Sequence, residues 1–584
     1  MWAAEQTLQP EIQGIYQKGD PACPAADRCA NMDHTKLAEL LFPHITKNPE
    51  DYEAQFPKRD LKEGAMVTRL GPSPTGFIHL GNLYGAFVDE RLAHQSDGTF
   101  YLRIEDTDDK RYVEGAVETI INSLAFFGIN FDEGALLDGE KGDYGPYFQS
   151  NRGEIYQCFA KELVSKGMAY PCFLTEDELA EIRQKQEAAK ETTGIYGKYA
   201  EKSRSLTIEE IEENIKSGKP YVVRLKSDGN HDLPSEEIRH IKVDDAIRGT
   251  LSMPENNQDV VILKANGIPT YHFAHAIDDH LMRTTHVVRG EEWLMSLPIH
   301  VELFEKLGFE MPTYCHTAQL LKLDNGNKRK LSKRKDPELS LDYYKKEGYH
   351  PQAVKEYLLT ILNSNFEEWR IENPDAPMEE FEFTTAKMSS GGALFDINKL
   401  NDVSKDVLLR IPASELAKFM TEWVREYKPK ALKYFEGNEE YIAKILDLGR
   451  TGNKPRKDLV YAKQIFDFIS YFFDDYFVIT DQIPEQISDA DATEILKRYL
   501  ESYDQSDDQS QWFDKIRTIA EDMGYAAKPK DYKKHPEEYK GHVGHVSTVI
   551  RLAVAGRSQS PDIWEIQQIL GEEKTRQRVE MLIG

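Results

Sequence analysis

The chain has 584 residues, more than one hydrophobic core ordinarily organises, so we expect several domains. Hydrophobic residues make up 40% and charged residues 30%, and no apolar run reaches the roughly 18 residues that a membrane-spanning helix needs. The composition therefore excludes an integral membrane protein with transmembrane helices, and we expect no membrane partner.

The formal net charge of -27 disfavours a nucleic-acid partner only weakly, because affinity for a phosphate backbone depends on local basic surface. Local basic runs do occur, at 327–335, 454–457 and 528–534. The five cysteines are an odd number in a long chain, and the N-terminal residues lack the apolar segment of a secretory signal. We therefore expect no disulfide framework and a location in the reducing cytoplasm.

Residues 1–65 are a predicted N-terminal extension to which the sequence assigns no chemistry. A helix-like stretch covers 36–42, and the residues before Met32 have the character of a loose extension or an upstream start. A metal site at Cys23 and Cys29 would need two further ligands nearby, so we expect none there.

An α/β pattern begins after this extension. Residues 66–70 alternate as in a strand, and the prolines and glycines of 71–76 force a turn. The apolar residues that follow recur at helical spacing; 99–104 then predict a second strand and 113–127 a second helix. Strands and helices that alternate with short connections predict a parallel, doubly wound sheet.

Residues 171–265 depart from this pattern and predict an α+β insertion in the sheet. The insertion is expected to contain two charged helices and a short strand, at 175–190, 207–216 and 221–225. The α/β pattern is expected to resume with strands at 260–263 and 285–289, and from about Pro337 the chain predicts helices to its end, with no strand series.

The segment from Pro72 to Asn82 joins a predicted strand end to the start of a helix. Ligands bind an open α/β sheet beyond the carboxyl ends of its strands, where a helix N-terminus presents free N–H groups to an anion. Gly81 lets a base or a phosphate approach the backbone closely, and His79 can donate a hydrogen bond to phosphate oxygens. Taken alone, a histidine in such a loop is more often a helix-cap residue.

A basic loop lies far downstream, where Lys330 to Arg334 read Lys-Leu-Ser-Lys-Arg. Lys330 and Lys333 can bring ammonium groups onto a polyphosphate as charge develops at the transferring phosphorus. Taken alone, such a loop is more often a solvated surface run. Both segments in this order on an α/β framework favour nucleotide chemistry.

These two segments resemble the HIGH region and the KMSKS loop of the class I aminoacyl-tRNA synthetases. Four further segments resemble the bacterial-type glutamyl-tRNA synthetases in particular: 102–108, 145–149, 278–282 and 288–293. The resemblance extends from about Met66 to the C-terminus. It implies an α/β fold with a class I, Rossmann-type catalytic domain, an α+β insertion and an all-α C-terminal anticodon-binding region.

The resemblance implies a glutamate site. Arg69 and Arg289 match glutamate-binding arginines of the family, and arginine suits a side-chain carboxylate because it binds both oxygens. Ser73 and Tyr271 match further contacts, and Glu105 suits the α-ammonium group. For Arg69 and Glu105 the alternative is a structural ion pair at the strand ends.

The resemblance also implies an ATP site, formed by Thr75, His79, Gly81, Asn82, Glu292, Trp293 and Lys333. His79, Lys330 and Lys333 are the expected catalytic residues. The glutamate α-carboxylate would attack the α-phosphorus of ATP and expel pyrophosphate, and a ribose hydroxyl of tRNA would then take the glutamyl group. The implied partners are ATP with Mg²⁺, L-glutamate and tRNA(Glu), with activation requiring bound tRNA, and we expect a monomer.

Two departures from the family affect these expectations. Many relatives carry a substrate-contacting asparagine where this chain has His275, which is bulkier and titrates near neutrality, so we assign it no ligand role. Some relatives hold zinc through a Cys-x-Cys pair, but here Cys172 is followed by Leu174 and 196–200 contain no cysteine. One thiolate cannot make a tetrahedral site, so we expect no zinc and no metal-ligating residues.

The C-terminal part resembles the helical stem-contact and anticodon-binding domains of bacterial-type enzymes, and the helical pattern of 560–570 disfavours a β-barrel. Arg456, Arg551 and Arg557 are candidate anticodon contacts, each more often an ordinary surface cation. Whether tRNA(Gln) is also charged stays open. The expected divisions are the extension, the two catalytic halves around the insertion, the stem-contact domain and the anticodon domain, at 1–65, 66–170, 171–265, 266–335, 336–410 and 411–584.

Three other functions are weaker. A glutaminyl-tRNA synthetase is disfavoured by Pro74-Thr-Gly76 and by the helical tail. A shorter paralogue that glutamylates a modified tRNA base lacks the anticodon half. An inactive, RNA-binding relative would have lost His79, Lys333 or the arginine pair, and all are present.

Overall fold

The computed structural model describes residues 32–108, 113–230, 233, 237–451 and 455–583. Cys23 and Cys29, for which no metal site is expected, lie outside these residues. Across the described ranges, no helix combines the length and the apolar composition that a bilayer crossing requires. Cys158, Cys172 and Cys315 are buried free thiols.

The described part of the N-terminal extension is folded against the catalytic domain. It forms α1 (His34–Leu41) and α2 (Pro49–Gln55), whose buried side chains share a core with the helix at Gly153–Ser165. Beyond α2, the carbonyl of Phe56 accepts a hydrogen bond from Nε of Arg283 at 3.0 Å. The extension thus packs against the segment that leads into the second half of the catalytic sheet.

The first half of the catalytic domain has the predicted alternation of strands and helices. Its elements are β1 (Val67–Leu70), α3 (Leu80–Gln95), β2 (Thr99–Leu102), α4 (Ala116–Phe126), β3 (Glu133–Leu136) and β4 (Gly139–Lys141). The first three strands are parallel in the order β1-β2-β3, and β4 is antiparallel to β3. The α/β prediction is confirmed in this half.

The middle of the chain contains a second, antiparallel sheet and several helices. The elements of this region are, in order, α5 (Gly153–Ser165), β5 (Ala169–Cys172), α6 (Glu176–Ala189), α7 (Gly197–Arg204), α8 (Ile208–Lys216) and β6 (Val222–Leu225). Two further strands follow, β7 (His240–Asp245) and β8 (Gly249–Pro254), before β9 (Val261–Leu263) completes the sheet β5-β6-β9.

Two strands in this region exchange the sheets that the sequence assigns to them. The apolar run that predicts a catalytic strand at 260–263 forms β9, which pairs with β6 of the insertion. Conversely β7, within the predicted insertion, is parallel to a strand of the catalytic sheet. Alternate residues of β7 are exposed, so its sequence pattern is typical of a strand at the surface of a sheet. This local pattern does not indicate with which strand β7 pairs.

The second half of the catalytic sheet follows the insertion. It contains α9 (Tyr271–Leu281), β10 (His286–Gly290), α10 (Leu297–Leu307) and β11 (Thr313–Thr317). The strand order is β10-β11-β7-β8, parallel except for β8. The backbone N–H of Thr285 donates to the carbonyl of Val67 at 3.0 Å, which places β10 beside β1 and joins the two halves.

A β-hairpin leads into the C-terminal region. It consists of β12 (Leu320–Asp324) and β13 (Asn327–Lys330), and its turn holds Asn325 and Gly326 at positive φ angles of 50° and 83°. An Asn-Gly pair suits this turn because both central residues must adopt left-handed conformations.

The rest of the described chain is almost entirely helical. Its elements are α11 (Leu341–Glu347), α12 (Pro351–Leu362), α13 (Phe366–Glu372), β14 (Ala393–Leu394), α14 (Ile397–Arg410), α15 (Ala413–Tyr427), α16 (Glu439–Asp447), α17 (Ala462–Ile469), α18 (Asp489–Ser502), α19 (Gln509–Asp522), α20 (Pro529–Lys534), α21 (Val543–Ala555), α22 (Ile563–Leu570) and α23 (Glu572–Ile583). The two-residue strand β14 pairs with β12 and is the exception to the predicted all-α tail. The fold class is confirmed, whereas the domain boundaries stay predictions.

A buried carboxylate fastens α9 to the first two strands. Asp279 is fully buried and accepts hydrogen bonds from Nε of Arg69 at 3.1 Å and from Nη1 of Arg103 at 2.7 Å. Burial alone would raise the pKa of Asp279, but Arg103 and Arg69 hold it well below its usual range. The neighbouring Asp278 accepts from Nε of Arg152 at 2.7 Å. Charge pairing therefore links β1, β2, α5 and α9.

We expect Asp279→Asn to destabilise the catalytic domain by about 3–5 kcal/mol, because it removes the counter-charge of the buried guanidinium of Arg69 and leaves Arg103 with Glu105 as its nearest carboxylate. Asp97→Asn removes an exposed carboxylate that contacts Lys62 at 2.6 Å and should cost below about 1 kcal/mol. Asparagine also tolerates the positive φ of 56° at position 97. Urea unfolding of both full-length variants measures the difference, and equal shifts in midpoint would contradict it.

Candidate active site

One cavity of about 790 Å³ lies at the carboxyl ends of β1, β2, β10 and β11. It is lined by twelve of the residues that the sequence singles out: Arg69, Ser73, His79, Gly81, Asn82, Glu105, Tyr271, Arg289, Glu292, Trp293, Lys330 and Lys333. Thr75 is the exception. It is exposed in the turn after β1, where its N–H donates to the carbonyl of Ser73 at 2.8 Å, and it does not line the cavity.

The loop after β1 places His79 at the N-terminus of α3. His79 occupies the N-cap position, and its backbone N–H donates to Oδ1 of Asn82 at 3.0 Å. Nδ1 of His79 is buried and has no hydrogen-bond partner among the described residues. The helix-cap alternative is therefore correct for the backbone of His79, while its imidazole lies on the cavity wall.

The two sequence motifs meet across the cavity. Nζ of Lys333 lies 3.8 Å from the ring centroid of Phe77, inside the first motif, so the ammonium packs on an aromatic face. Burial lowers the pKa of His79, and the nearby charges of Lys333 and Lys330 lower it further. An imidazole that is neutral at physiological pH can donate one hydrogen bond to an anion held by the two lysines.

Asp336 holds the basic loop in place. Its carboxylate accepts hydrogen bonds from Nη2 of Arg329 at 2.8 Å and from the N–H of Ser332 at 2.8 Å. Hydrogen bonds from Arg329 keep the pKa of Asp336 below its usual range. The loop after β13 is thus anchored at Asp336, and Lys333 remains exposed at the cavity.

Charged groups from β1 and from the end of β2 line the opposite side of the cavity. Arg69 is bonded to Asp279, and Oε1 of Glu105 accepts from Nη2 of Arg103 at 3.1 Å. Arg69 and Glu105 thus form no ion pair with each other, and each is paired with a different residue, so their proposed roles toward a substrate stay predictions. Both also line the cavity. Burial raises the pKa of Glu105, and Arg103 and Arg69 oppose that rise.

Arg289 and an aromatic pair complete this end. Strand register places Arg289 of β10 opposite His316 of β11, and Nε of Arg289 donates to Nε2 of His316 at 2.9 Å. The rings of Tyr271 and Trp293 pack with centroids 4.3 Å apart, which makes an apolar wall beside the charged groups. Positive charge, one carboxylate and an aromatic wall suit a small zwitterion with an acidic side chain.

His275 lies behind this wall and does not line the cavity. It is fully buried, with Nε2 2.9 Å from Oη of Tyr314 and Nδ1 2.7 Å from Oδ2 of Asp279. Burial lowers the pKa of His275 to about 3. The expectation that this side chain titrates near neutrality is therefore wrong, because no water reaches it to stabilise the charged form.

Sequence reasoning missed several residues of the site. Arg103 and Asp279 lie in segments 102–108 and 278–282, which resemble the family. The spacing of Arg103 two residues before Glu105 could have indicated that both side chains face the same side. Lys264 lines the cavity and donates to the carbonyl of Thr107 at 2.9 Å, without any local signal. The sequence around His316 gives no local signal either, because only the pairing of β10 with β11 brings His316 beside Arg289.

Comparisons with known proteins agree with this geometry. Residues 65–402, more than half of the chain, match the family described as tRNA synthetases class I (E and Q), catalytic domain. Residues 415–583 match an anticodon binding domain. The fold and the cavity thus define a class I aminoacyl-tRNA synthetase.

Comparisons with individual proteins show to which family of class I synthetases the chain belongs. The chain is 63% identical to a glutamate–tRNA ligase of Acetivibrio thermocellus over 94% of this chain and 100% of that protein. It is 48% identical to a glutamate–tRNA ligase of Clostridium perfringens strain 13, again over 94% and 100%. It therefore belongs to the glutamate–tRNA ligase family.

A solved structure shares the architecture. The crystal structure of a glutamate tRNA ligase from Elizabethkingia meningosepticum, in complex with its amino acid, superposes with a TM-score of 0.70. The match has 28% identity and covers 89% of this chain and 99% of that chain.

Proposed function

We propose that the cavity attaches L-glutamate to tRNA(Glu) through a glutamyl-adenylate, with one end of the cavity for glutamate and the other for ATP. One observation carries this proposal. Arg69, Glu105 and Arg289 line the cavity that also receives Lys333 from the far side, where its ammonium packs on Phe77. A single cavity thus offers cations for a carboxylate and cations for a polyphosphate.

In the first step, Arg69 and Arg289 bind the glutamate side-chain carboxylate and Glu105 accepts from its α-ammonium group. The α-carboxylate attacks the α-phosphorus of ATP, its oxygen forms the new P–O bond, and pyrophosphate leaves. No protein nucleophile is required, because positioning and charge stabilisation supply the rate. Lys330 and Lys333 stabilise the charge on the departing phosphates, and neutral His79 donates a hydrogen bond to them.

Mg²⁺ would bind together with ATP and would neutralise part of the charge of its phosphates. The sequence assigns no metal ligand, but Glu292 lines the cavity close enough to His79 to influence its pKa, and its carboxylate oxygens would suit Mg²⁺. The absence of zinc stays a prediction. It is supported by Cys172, a buried thiol whose Sγ accepts from the hydroxyl of Ser203 at 3.5 Å.

In the second step, a terminal ribose hydroxyl of tRNA attacks the mixed anhydride and AMP leaves. We infer that a monomer carries out this reaction, since one chain supplies both the cavity and a helical domain that matches an anticodon binding domain. We place it in the cytoplasm, where the free thiols of Cys158, Cys172 and Cys315 would stay reduced. The tRNA would bridge these two regions.

Charging assays test this function. With ATP and Mg²⁺, we expect the purified protein to transfer glutamate, and not glutamine, to tRNA(Glu), because the cationic end of the cavity favours a carboxylate over an amide. The same assay with tRNA(Gln) reveals whether the enzyme also misacylates that tRNA. Failure to transfer glutamate to either tRNA would refute the function.

Lys333→Ala should lower the rate of tRNA-dependent ATP–pyrophosphate exchange by about 10²-fold or more, since it removes a cation from the developing charge. The KM for glutamate should change little. Lys335→Ala is the matched control, because Lys335 is exposed in the same loop and does not line the cavity. A collapse of glutamate binding in the Lys333 variant would show that this lysine does not serve the phosphates.

The three candidate arginines of the helical region differ in how firmly they are held. Arg456 pairs with Oδ1 of Asp458 at 2.6 Å, and Arg551 is partly buried and donates to the carbonyl of Pro561 at 2.7 Å. The hydrogen bonds of Arg557 are long, at 3.4 Å to the carbonyls of Asp467 and Phe468, and its guanidinium carbon lies 5.0 Å from the ring centroid of Tyr471. It lines an open cavity of about 330 Å³ together with Tyr461, Lys463, Gln464, Asp467 and Phe468.

We therefore favour Arg557 as the tRNA contact. Arg557→Ala should raise the KM for tRNA about tenfold and leave the KM values for ATP and glutamate unchanged, because one cationic contact to the nucleic acid is lost. Arg517→Ala, which removes an exposed arginine outside this cavity, is the control. Equal tRNA KM values in the two variants would remove Arg557 from the interface.

A further inference from the structure

The guanidinium of Arg289 is held by histidines and not by carboxylates. Nε donates to Nε2 of His316 at 2.9 Å, and Nη1 lies 3.0 Å from Nδ1 of His300 on α10. Its central carbon lies 4.5 Å from the ring centroid of Tyr314. Nη2 is buried and has no hydrogen-bond partner among the described residues, although Arg289 lines the cavity.

Neighbouring groups determine which histidine nitrogens accept. Nδ1 of His316 lies 2.6 Å from Oδ2 of Asp245, so that nitrogen carries the proton and Nε2 is free to accept from Arg289. Nε2 of His300 lies 2.9 Å from Nδ1 of His272. If Nδ1 of His300 accepts from Arg289, its Nε2 carries a proton and donates to His272. Each histidine is thereby satisfied as a neutral ring.

The surroundings keep these rings neutral. Burial lowers the pKa of His300 well below its usual value and that of His272 to about 4, and Arg289 lowers both further. Burial also lowers the pKa of His316, although its hydrogen bond with Asp245 opposes the shift. A neutral ring accepts from arginine without cancelling its charge, whereas an imidazolium offers no acceptor.

Arg69 is held in the opposite way. Its Nε is bonded to the buried carboxylate of Asp279, which also serves Arg103, so much of its charge is compensated within the protein. Of the two arginines assigned to the glutamate side chain, Arg289 therefore keeps the less compensated charge.

We infer that His300 and His316 are positioning residues for glutamate selection: they orient Arg289 through neutral acceptors and leave its charge for the substrate's side-chain carboxylate. The inference rests on the proposed function, because it takes Arg289 as a glutamate ligand. A less compensated cation attracts the carboxylate of glutamate more strongly than it attracts the neutral side chain of glutamine. The two histidines thus contribute to the choice of amino acid without touching it.

Two substitutions at position 300, to the mutually isosteric residues Asn and Asp, separate the orientation of Arg289 from the compensation of its charge. In His300→Asn a neutral amide oxygen can replace Nδ1, so the KM for glutamate should stay within about threefold of the wild type. In His300→Asp the oxygen is anionic and compensates Arg289, so the KM for glutamate should rise about tenfold or more. The KM for ATP and kcat at saturating glutamate should stay within about twofold in both, which reports an intact fold.

Position 316 gives an independent pair. His316→Gln can present an amide oxygen near the place of Nε2, whereas His316→Leu offers no acceptor, so only the leucine variant should raise the KM for glutamate by about tenfold. His286→Asn is the control on the same strand. His286 is partly buried and its Nδ1 lies 2.9 Å from Oγ1 of Thr285, so the substitution should change neither the KM for glutamate nor the KM for ATP.

Arg289→Gln distinguishes a failure of the role given to the histidines from a failure of the glutamate contact given to Arg289. If it raises the KM for glutamate while the Asp and Asn variants at position 300 behave alike, and the Gln and Leu variants at position 316 also behave alike, the role of the histidines is refuted and the function stands. If Arg289→Gln leaves the KM for glutamate unchanged, the assignment of Arg289 in the proposed function is itself refuted.

Discussion

The buried carboxylate of Asp279 is the interaction on which the cavity depends. It lies in α9 and binds Arg69 of β1 and Arg103, which directly follows β2, so separating the helix from these strands would leave a buried charge uncompensated. Arg69 is consequently held in place before any substrate arrives. A preorganised cation loses little conformational freedom on binding, and a reaction that needs no protein nucleophile depends on such positioning.

Local charge, and not the sum over the chain, determines what this cavity binds. The net charge is -27, yet Lys264, Lys330 and Lys333 all line the cavity together with two arginines. Asp279 lies behind Arg69 and holds it, and Asp336 anchors the loop that carries Lys333 through the N–H of Ser332, so acidic groups support the cations of the cavity. A strongly acidic protein can therefore present a basic surface to polyphosphate and tRNA.

The sequence predicted the features that depend on neighbouring residues. The turn at 71–76, the helix that begins at Leu80 and the helical tail follow from local spacing, and the structure contains all three. Features that depend on distant partners were missed, because β7 and β9 exchange sheets without any change in local pattern. The twelve cavity residues were named largely through the resemblance to a known family, whereas His300 and His316, which hold Arg289, lie in no segment that carries this resemblance.

His275 occupies a position at which many relatives carry a substrate-contacting asparagine, yet its side chain does not line the cavity. Its ring lies between Asp279, 2.7 Å from Nδ1, and Tyr314, 2.9 Å from Nε2, while the ring of Tyr314 faces Arg289. A neutral imidazole and a phenol thus separate the carboxylate that compensates Arg69 from the arginine that keeps its charge. An asparagine is too short to span both groups from the same backbone position. The histidine therefore acts in the packing behind the cavity, where its ring contacts Asp279 on one side and Tyr314 on the other.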